Sequence, residues 1–253
     1  MNSELVYPLL EDKFRLYNNP GFIISDPIAI PHLFSRKQDI EIAGFLTATI
    51  AWGNRKNIIS DARRLMLMMD DAPYDFLTGA KDEEYKPFLK FVHRTFNGDD
   101  CLFFLQSLRN IYSHAESLEQ LFTVTDIREA AIAITGFRDR FLQTPHLKRS
   151  EKHIANPFKG SAAKRINMFL RWMVRNDNSG VDFGIWKKMD PSMLICPLDV
   201  HSARVARKLG LLIRKINDWK AAEELTANLR KFDPGDPVKY DFALFGMGIC
   251  ENF

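Results

Sequence analysis

Hydrophobic positions recur at helical spacing, every three to four residues, along most of this chain. Between residues 39 and 52, Ile42, Phe45, Leu46 and Ile50 recur at intervals of three and four, which places them on one face of a helix. No run alternates with the period of two that marks a strand. The pattern predicts an all-α fold with helices over 39–52, 57–69, 99–112, 126–142, 161–175, 200–209, 219–232 and 238–247.

Capping and turn residues stand at the ends of several of these predicted helices. Asp39 and Asp199 occupy N-cap positions, and Gly210 follows the last residue of its helix. Pro237 can open the final helix because the first helical residue needs no amide hydrogen. The run NDNSG at 176–180 predicts a turn that separates two helical stretches.

Length and composition are those of a folded protein without a membrane segment. The 253 residues are 46% hydrophobic and 26% charged, enough for one large domain or two small ones. No apolar run reaches the roughly 18 residues needed to span a bilayer, and the first residues lack the pattern of a signal peptide. A cytoplasmic location and no membrane partner are therefore expected, and no obligate protein partner is inferred.

Three cysteines, Cys101, Cys196 and Cys250, lie far apart in the chain. They form no CxxC pair and no cluster with histidine, so the sequence indicates neither a zinc site nor an iron–sulfur cluster. Reduced and mostly buried thiols are expected, with no metal and no cofactor.

Basic residues are concentrated between positions 138 and 175. This segment holds ten of them against two acids, a net charge of +8 in a chain whose total is +3. Such a concentration is typical of a polyanion-binding face, and the alternative is an ordinary solvated helical surface. The ten are Arg138, Arg140, Lys148, Arg149, Lys152, Lys159, Lys164, Arg165, Arg171 and Arg175.

The segment FKGSAAKR at 158–165 places small residues at the mouth of the predicted helix 161–175, with Lys164 inside its first turn. Backbone amides at a helix N-terminus can hold a phosphate without reading the DNA sequence. The helix dipole and neighbouring Arg165 favour the neutral lysine amine, which is the nucleophilic form. The alternative is that Lys164 is an exposed surface lysine.

The second informative segment is PLDVH at 197–201. Asp199 is placed to stabilise positive charge or accept a proton, and it is equally suited to cap helix 200–209; the two roles are compatible. His201 is expected to make structural hydrogen bonds. Arg204 is either a phosphate contact or part of the polar face of its helix.

The order of helix, glycine-containing hairpin, helix and Leu-Asp-x-His resembles the helix-hairpin-helix DNA glycosylases of the endonuclease-III-like superfamily. Gly160 falls on the first glycine of that family's turn, Lys164 on its Schiff-base lysine and Asp199 on its catalytic aspartate. Ala162 replaces the second glycine of the turn. The segment 198–210 matches the family at Asp, His, Arg, Val and Leu-Gly, with one extra residue.

Other parts of the chain extend or limit this resemblance. The segment 45–54 is similar to a helix end in the family, which places Trp52 and Asn54 near a base pocket, together with Phe158. The spacing from Lys164 to Asp199 is similar to that of the archaeal 8-oxoguanine glycosylases. The four-cysteine cluster of many members is missing. The whole chain also resembles a family of bacterial proteins of this length to which no function is assigned.

The resemblance implies two helical lobes with a cleft between them. The central lobe would be 39–175, the terminal lobe 1–38 plus 198–253, and the connector 176–197. It further implies a DNA glycosylase with lyase activity on damaged or abasic double-stranded DNA. Catalysis would rest on Lys164 and Asp199, with DNA contacts from Lys159, Gly160, Ser161, Ala162, Arg165 and Arg204.

Two alternatives remain open at this point. One is a non-catalytic DNA- or RNA-binding protein of the same fold. The other is an enzyme that acts on another nucleoside-like substrate.

Overall fold

The computed structural model describes residues 3–122, 130–251 and 253, and this part of the chain consists of helices joined by turns and loops. Strand pairing within it is limited to two isolated bridges, His93 with Phe96 and Ser161 with Asp218. The predicted all-α class is confirmed. The α-helices are α1 Ser3–Tyr17, α2 Pro20–Ile24, α3 Lys37–Thr49, α4 Arg55–Leu67, α5 Pro73–Gly79, α6 Asp82–Tyr85, α7 Gly98–Tyr112, α8 Glu119–Phe122, α9 Ala130–Phe141, α10 Lys164–Val174, α11 Val200–Lys208, α12 Trp219–Leu229 and α13 Tyr240–Cys250.

Short 3₁₀ segments lie between these helices, and most contain a proline in their first turn, where the missing amide hydrogen is not needed. The start of the predicted helix 126–142 falls at 126–129, outside the described residues. The 3₁₀ segments are Pro27–Ala29, Pro31–Leu33, Lys86–Lys90, Lys148–His153, Pro157–Lys159, Pro191–Met193 and Pro237–Lys239.

Several predicted helix ends are wrong, and hydrogen bonds from distant residues explain two of them. Asp39 does not cap α3, which begins at Lys37, because the Asp39 carboxylate accepts the amide of Tyr74 at 2.8 Å. The predicted helix 161–175 begins only at Lys164, since Ala163 has the left-handed φ of 51° and Ser161 pairs with a distant segment. Lys164 is therefore the first residue of α10, whereas the predicted helix 161–175 made it the fourth.

The chain divides into two compact units. One comprises α1 with the segment from Asn156 to Phe253, and the other comprises most of the chain from Ile23 to Ala155. The hairpin and α10 thus belong to the same unit as α11, α12 and α13. The lobe boundaries given above remain a prediction.

Helix α13 forms the centre of the unit that contains the hairpin. It is almost wholly apolar, and it packs against both α1 and α11. Gly248 permits the close approach of α11, because a Cβ atom there would lie 3.0 Å from the Cβ of His201 and 3.2 Å from its carbonyl oxygen. This packing places the start of α11, where Asp199 lies, against the core of the unit.

Helix α3 forms the centre of the other unit, and every residue from Ile40 to Thr49 is buried. The Phe45 ring lies 6.0 Å from the ring of Phe104, 5.3 Å from that of Phe137 and 5.4 Å from that of Phe141. Such an aromatic cluster supplies much of the buried apolar area that stabilises a unit of this size.

Two further expectations can be compared with the fold. Over the residues described here, each helix is too short or too polar to cross a membrane. Cys101 and Cys196 are buried free thiols, and Cys250 is an exposed one. Burial raises the pKa of the Cys196 thiol well above its usual range.

Candidate active site

The hairpin that precedes α10 is closed by Asn156. Its side-chain oxygen accepts the amide of Lys159 at 3.2 Å, and its carbonyl oxygen accepts the amide of Ser161 at 3.3 Å. Gly160 completes the turn with a φ of 83°, in the left-handed region that favours glycine, and its amide donates to the carbonyl of Pro157 at 2.9 Å. The chain therefore turns sharply just before Lys164.

Two of the three amides predicted to hold a phosphate are used inside this hairpin, because those of Gly160 and Ser161 have the partners just given. The next residues are also fixed locally. The Ser161 hydroxyl accepts the amide of Ala163 at 3.2 Å, and the side-chain amide of Asn167 donates to the carbonyl of Ala162 at 3.3 Å. The side chain of Ser161 itself is exposed.

Lys164 and Asp199 come together although 35 residues separate them in the chain. The Lys164 Nζ atom lies 4.0 Å from Asp199 Oδ2, with the two side chains 27% and 23% exposed. The amine also donates to the sulfur of Met168, one turn further along α10, at 3.5 Å. The pair is thus partly shielded by protein and still accessible from outside.

Asp199 caps α11, as the sequence predicts. Its Oδ1 atom accepts the amides of His201 at 2.8 Å and Ser202 at 3.0 Å, and the Ser202 hydroxyl accepts the Asp199 amide at 2.9 Å. This reciprocal arrangement is a capping box. Because the capping bonds use Oδ1, the carboxylate presents its other oxygen to Lys164.

A buried charge network adjoins this pair, and the sequence analysis missed it. Arg171 of α10 forms an ion pair with Asp241 of α13, and its Nε atom lies 3.3 Å from Asp182. Burial raises the pKa of Asp241 to about 6, and the negative charge of Asp199 contributes in the same direction, while Arg171 and Lys164 oppose it. The sequence did contain a sign of this network, because Asp241 is the single acid in the apolar run of α13.

His201 and Arg204 connect α11 to other parts of the same unit. The Arg204 guanidinium donates to the carbonyl of Gly248 at 2.8 Å, which ties α11 to the end of α13. His201 reaches Asp199 through its backbone amide; its buried ring atom Nδ1 has no hydrogen-bond partner among the described residues.

The residues predicted for a base pocket are divided between the two units. Phe158 belongs to the hairpin and is 67% exposed. Asn54 belongs to the other unit, where it caps α4 by accepting the amides of Lys56 and Asn57. Trp52, in that unit too, packs against two histidine rings, with centroid distances of 5.1 Å to His93 and 5.7 Å to His153.

The basic stretch predicted from the sequence is divided between the two units. Its first part, up to position 155, lies in one unit, and its second part lies in the other. Arg138, Arg171 and Arg175 are buried and form ion pairs with acids, so these three cations do not belong to a binding face. Burial also lowers the pKa of Arg165 to about 10.

Comparison with known proteins gives a family but no characterised relative. The model of a family described as "Protein of unknown function (DUF2400)" matches residues 26–250, which is most of the chain. Neither a curated protein nor a solved structure matches the chain.

Proposed function

The chain belongs to that family, and we propose that it is a DNA base-excision glycosylase with associated lyase activity. One observation carries the proposal. The Lys164 amine lies 4.0 Å from the Asp199 carboxylate, and both side chains are partly exposed. Lys164 starts a helix directly after a tight glycine hairpin, and Asp199 comes from a segment 35 residues later. An amine beside a carboxylate that can take its proton is suited to nucleophilic attack on a sugar carbon.

In the proposed reaction, Asp199 accepts a proton from Lys164, and the free amine forms a bond to the deoxyribose C1′. The bond between C1′ and the base breaks, and the base leaves with the bonding electron pair and takes the proton held by Asp199, which regenerates the carboxylate. Opening of the sugar ring gives an imine to Lys164. Loss of a C2′ proton to the Asp199 carboxylate then expels the 3′ phosphate and cleaves the strand, and water hydrolyses the imine to release the lysine. The Asp199 carboxylate stabilises the positive charge that grows on the sugar.

The hairpin is proposed to contact the phosphates on either side of the target. Lys159 and Ser161 have exposed side chains, and the Ala162 amide follows the two amides that are used inside the turn. Arg165 and Arg204 complete the proposed DNA contacts. The two-lobe arrangement with a cleft, the base pocket from Trp52, Asn54 and Phe158, and the cytoplasmic location belong to the same proposal.

Borohydride trapping tests the chemistry. The protein is mixed with duplex DNA that contains an abasic site or a damaged base, and borohydride reduces any imine to a stable covalent adduct. We expect an adduct with the wild type and none with Lys164→Ala. Lys187→Ala is the matched control, because Lys187 is an exposed lysine of the same unit, and it should be trapped like the wild type.

Two substitutions separate the chemical role of Asp199 from its capping role. Asparagine caps a helix about as well as aspartate, so Asp199→Asn should change the free energy of unfolding little while base excision is lost. Asp199→Ala should lose excision and also destabilise the fold by about 1 kcal/mol. Full excision by Asp199→Asn would contradict the proposed role.

A non-catalytic DNA- or RNA-binding protein is the second candidate, and one observation favours it. Capping of α11 alone accounts for Asp199. That candidate predicts salt-sensitive nucleic-acid binding with no adduct on any lesion tested. Cleavage of free nucleosides but not of DNA would instead favour an enzyme with a nucleoside-like substrate.

A further inference from the structure

The loop 211–217, between α11 and α12, is held in place by side chains from both helices. Arg207 of α11 donates to the carbonyl of Arg214 at 3.0 and 2.7 Å, to the carbonyl of Lys215 at 2.9 Å and to Asn217 Oδ1 at 2.6 Å. Three of these four hydrogen bonds hold backbone carbonyls, so one guanidinium fixes the backbone of a loop that has no regular structure of its own.

Residues of α12 hold the other part of the loop. The Glu224 carboxylate accepts the amides of Ile213 at 2.6 Å and Arg214 at 3.3 Å, and Asn228 donates to the carbonyl of Leu211 at 2.8 Å. Arg214 is itself paired with Asp218. Five of the seven loop residues are therefore bonded to the helices that flank the loop.

Two large aliphatic side chains remain outside this framework. Ile213 is 85% exposed and Ile216 is 65% exposed. Single exposed hydrophobic residues are common on protein surfaces and need no explanation. Here, however, two isoleucines lie within four residues on a fixed loop, where they add nothing to the core. Such an arrangement fits a surface that is covered by a partner.

The two residues that follow the loop contact the hairpin. The Trp219 amide donates to the carbonyl of Gly160 at 3.4 Å, and Asp218 pairs with Ser161. The segment that ends the loop is thus joined to the hairpin that precedes Lys164. Phe158 of the hairpin and Val200, next to Asp199, are also exposed, at 67% and 69%.

The charge around the loop indicates what the partner is. Segment 199–224, which includes the Glu224 that bonds to the loop, holds six basic residues against four acids, and hairpin segment 156–165 holds three basic residues and no acid. Lys215, within the loop, has an exposed side chain. Cations around an exposed apolar tip complement duplex DNA, whose phosphates flank grooves lined by sugars and base edges.

We propose that the loop 211–217 is a second DNA-contact element beside the hairpin, in which Ile213 and Ile216 pack in the minor groove and Lys215 contacts a phosphate. This inference rests on the proposed function, since it takes the same duplex as the ligand. The loop would add a second DNA-binding surface to the hairpin, on the side where the start of α12 contacts the hairpin.

Duplex binding measured at several salt concentrations tests the loop. The probe is a duplex oligonucleotide with a stable abasic analogue, and the protein is the full chain. Ile213→Ser/Ile216→Ser should weaken binding by about tenfold at every salt concentration, because lost apolar contacts release no counterions. Lys215→Ala should instead make the negative slope of log affinity against log salt less steep by about 1.

The matched control is Leu5→Ser/Leu16→Ser, which replaces two residues of α1 that are 64% and 55% exposed; it should bind like the wild type. Wild-type affinity in the isoleucine variant, with borohydride trapping intact, would overturn this inference and leave the glycosylase proposal standing. A wild type that neither binds DNA nor forms an adduct would overturn both. Conversion of a dimer to a monomer by the isoleucine variant would identify the loop as an interface between copies and overturn the DNA contact.

Discussion

At the residue scale, Asp241 shows how the surroundings of one carboxyl group determine its pKa. Its side chain is buried in the apolar helix α13, in an ion pair with Arg171. Burial raises the pKa of Asp241 from 3.8 to about 6, since desolvation disfavours the charged form. The Asp199 carboxylate acts in the same direction, so the protonation of Asp241 is coupled to the pair at the candidate site.

We expect Asp241→Asn to change how stability depends on pH. Between pH 3.8 and about 6 the folded protein keeps a proton on Asp241 that the unfolded chain has lost, so this proton stabilises the fold. The contribution is complete below 3.8 and is lost as the pH rises through about 6. The wild type should therefore gain stability relative to the variant as the pH is lowered from 7 to 4, by at most about 3 kcal/mol.

Urea unfolding of both proteins across this pH range measures the difference. Asp12→Asn is the control, because Asp12 is an exposed acid of α1 in the same unit; its difference from the wild type should stay nearly constant. A difference for Asp241→Asn that is equally flat would show that Asp241 titrates like an exposed carboxyl.

At the element scale, two glycines with open surroundings should respond in opposite ways to alanine. A Cβ atom at either Gly160 or Gly136 would meet nothing within 4 Å. Only their backbone conformations differ, since Gly160 turns the hairpin with a φ of 83° and Gly136 lies within helix α9. Steric fit is thus removed from the comparison.

Gly160→Ala should destabilise the fold by about 1 kcal/mol, because alanine disfavours the left-handed region. Gly136→Ala should stabilise it by up to about 1 kcal/mol, because alanine is the better helix former. Thermal unfolding of the two variants gives both signs. Stabilisation by Gly160→Ala would mean that the turn relaxes to another conformation in solution.

The same scale shows how much of the architecture the sequence could predict. Helices with a strong apolar period, such as α7 and α12, are found at nearly their predicted positions, because periodicity reports a buried face directly. Helix ends depend on partners that the local sequence does not contain. The pairing of Ser161 with Asp218, 57 residues away, delays the start of α10 and changes the position of Lys164 in it.

At the candidate site too, features that depend on neighbouring residues could be predicted, and features that depend on distant residues could not. Capping by Asp199 could be predicted because a cap involves only the next three residues. The pairing of Lys164 with Asp199 was predicted from the resemblance of two motifs to a family. The residues around each of them do not by themselves indicate that the two side chains meet. Asp241 could not be found in this way, because its effect on the site depends on the packing of α13 against α11.

At the scale of the whole molecule, the distribution of charge could be counted from the sequence but not located. The basic stretch 138–175 crosses from one compact unit to the other, and some of its cations are buried. Arg175 is 1% exposed, and one of its partners, Asp236, comes 61 residues later. Burial of an arginine depends on distant acids, which no window of sequence displays.

Arg175 should therefore be a major determinant of the stability of its unit. Its guanidinium contacts Asp177, lies 3.1 Å from Asp182 and 2.8 Å from Asp236, and so joins the end of α10 to two later segments. Arg175→Met fills a similar volume but leaves these carboxylates without their shared cation. Removing one partner of a buried ion network costs about 3–5 kcal/mol, which we expect at pH 8.

The loss should be smaller at pH 5, because burial raises the pKa of both Asp182 and Asp236 and allows them to take up protons once the cation is gone. Urea unfolding at the two pH values measures the effect, with Arg15→Met, at an exposed arginine of α1, as the control for the change of residue type. If Arg175→Met costs no more than Arg15→Met at pH 8, the three acids are solvated in solution and the network does not hold this unit together.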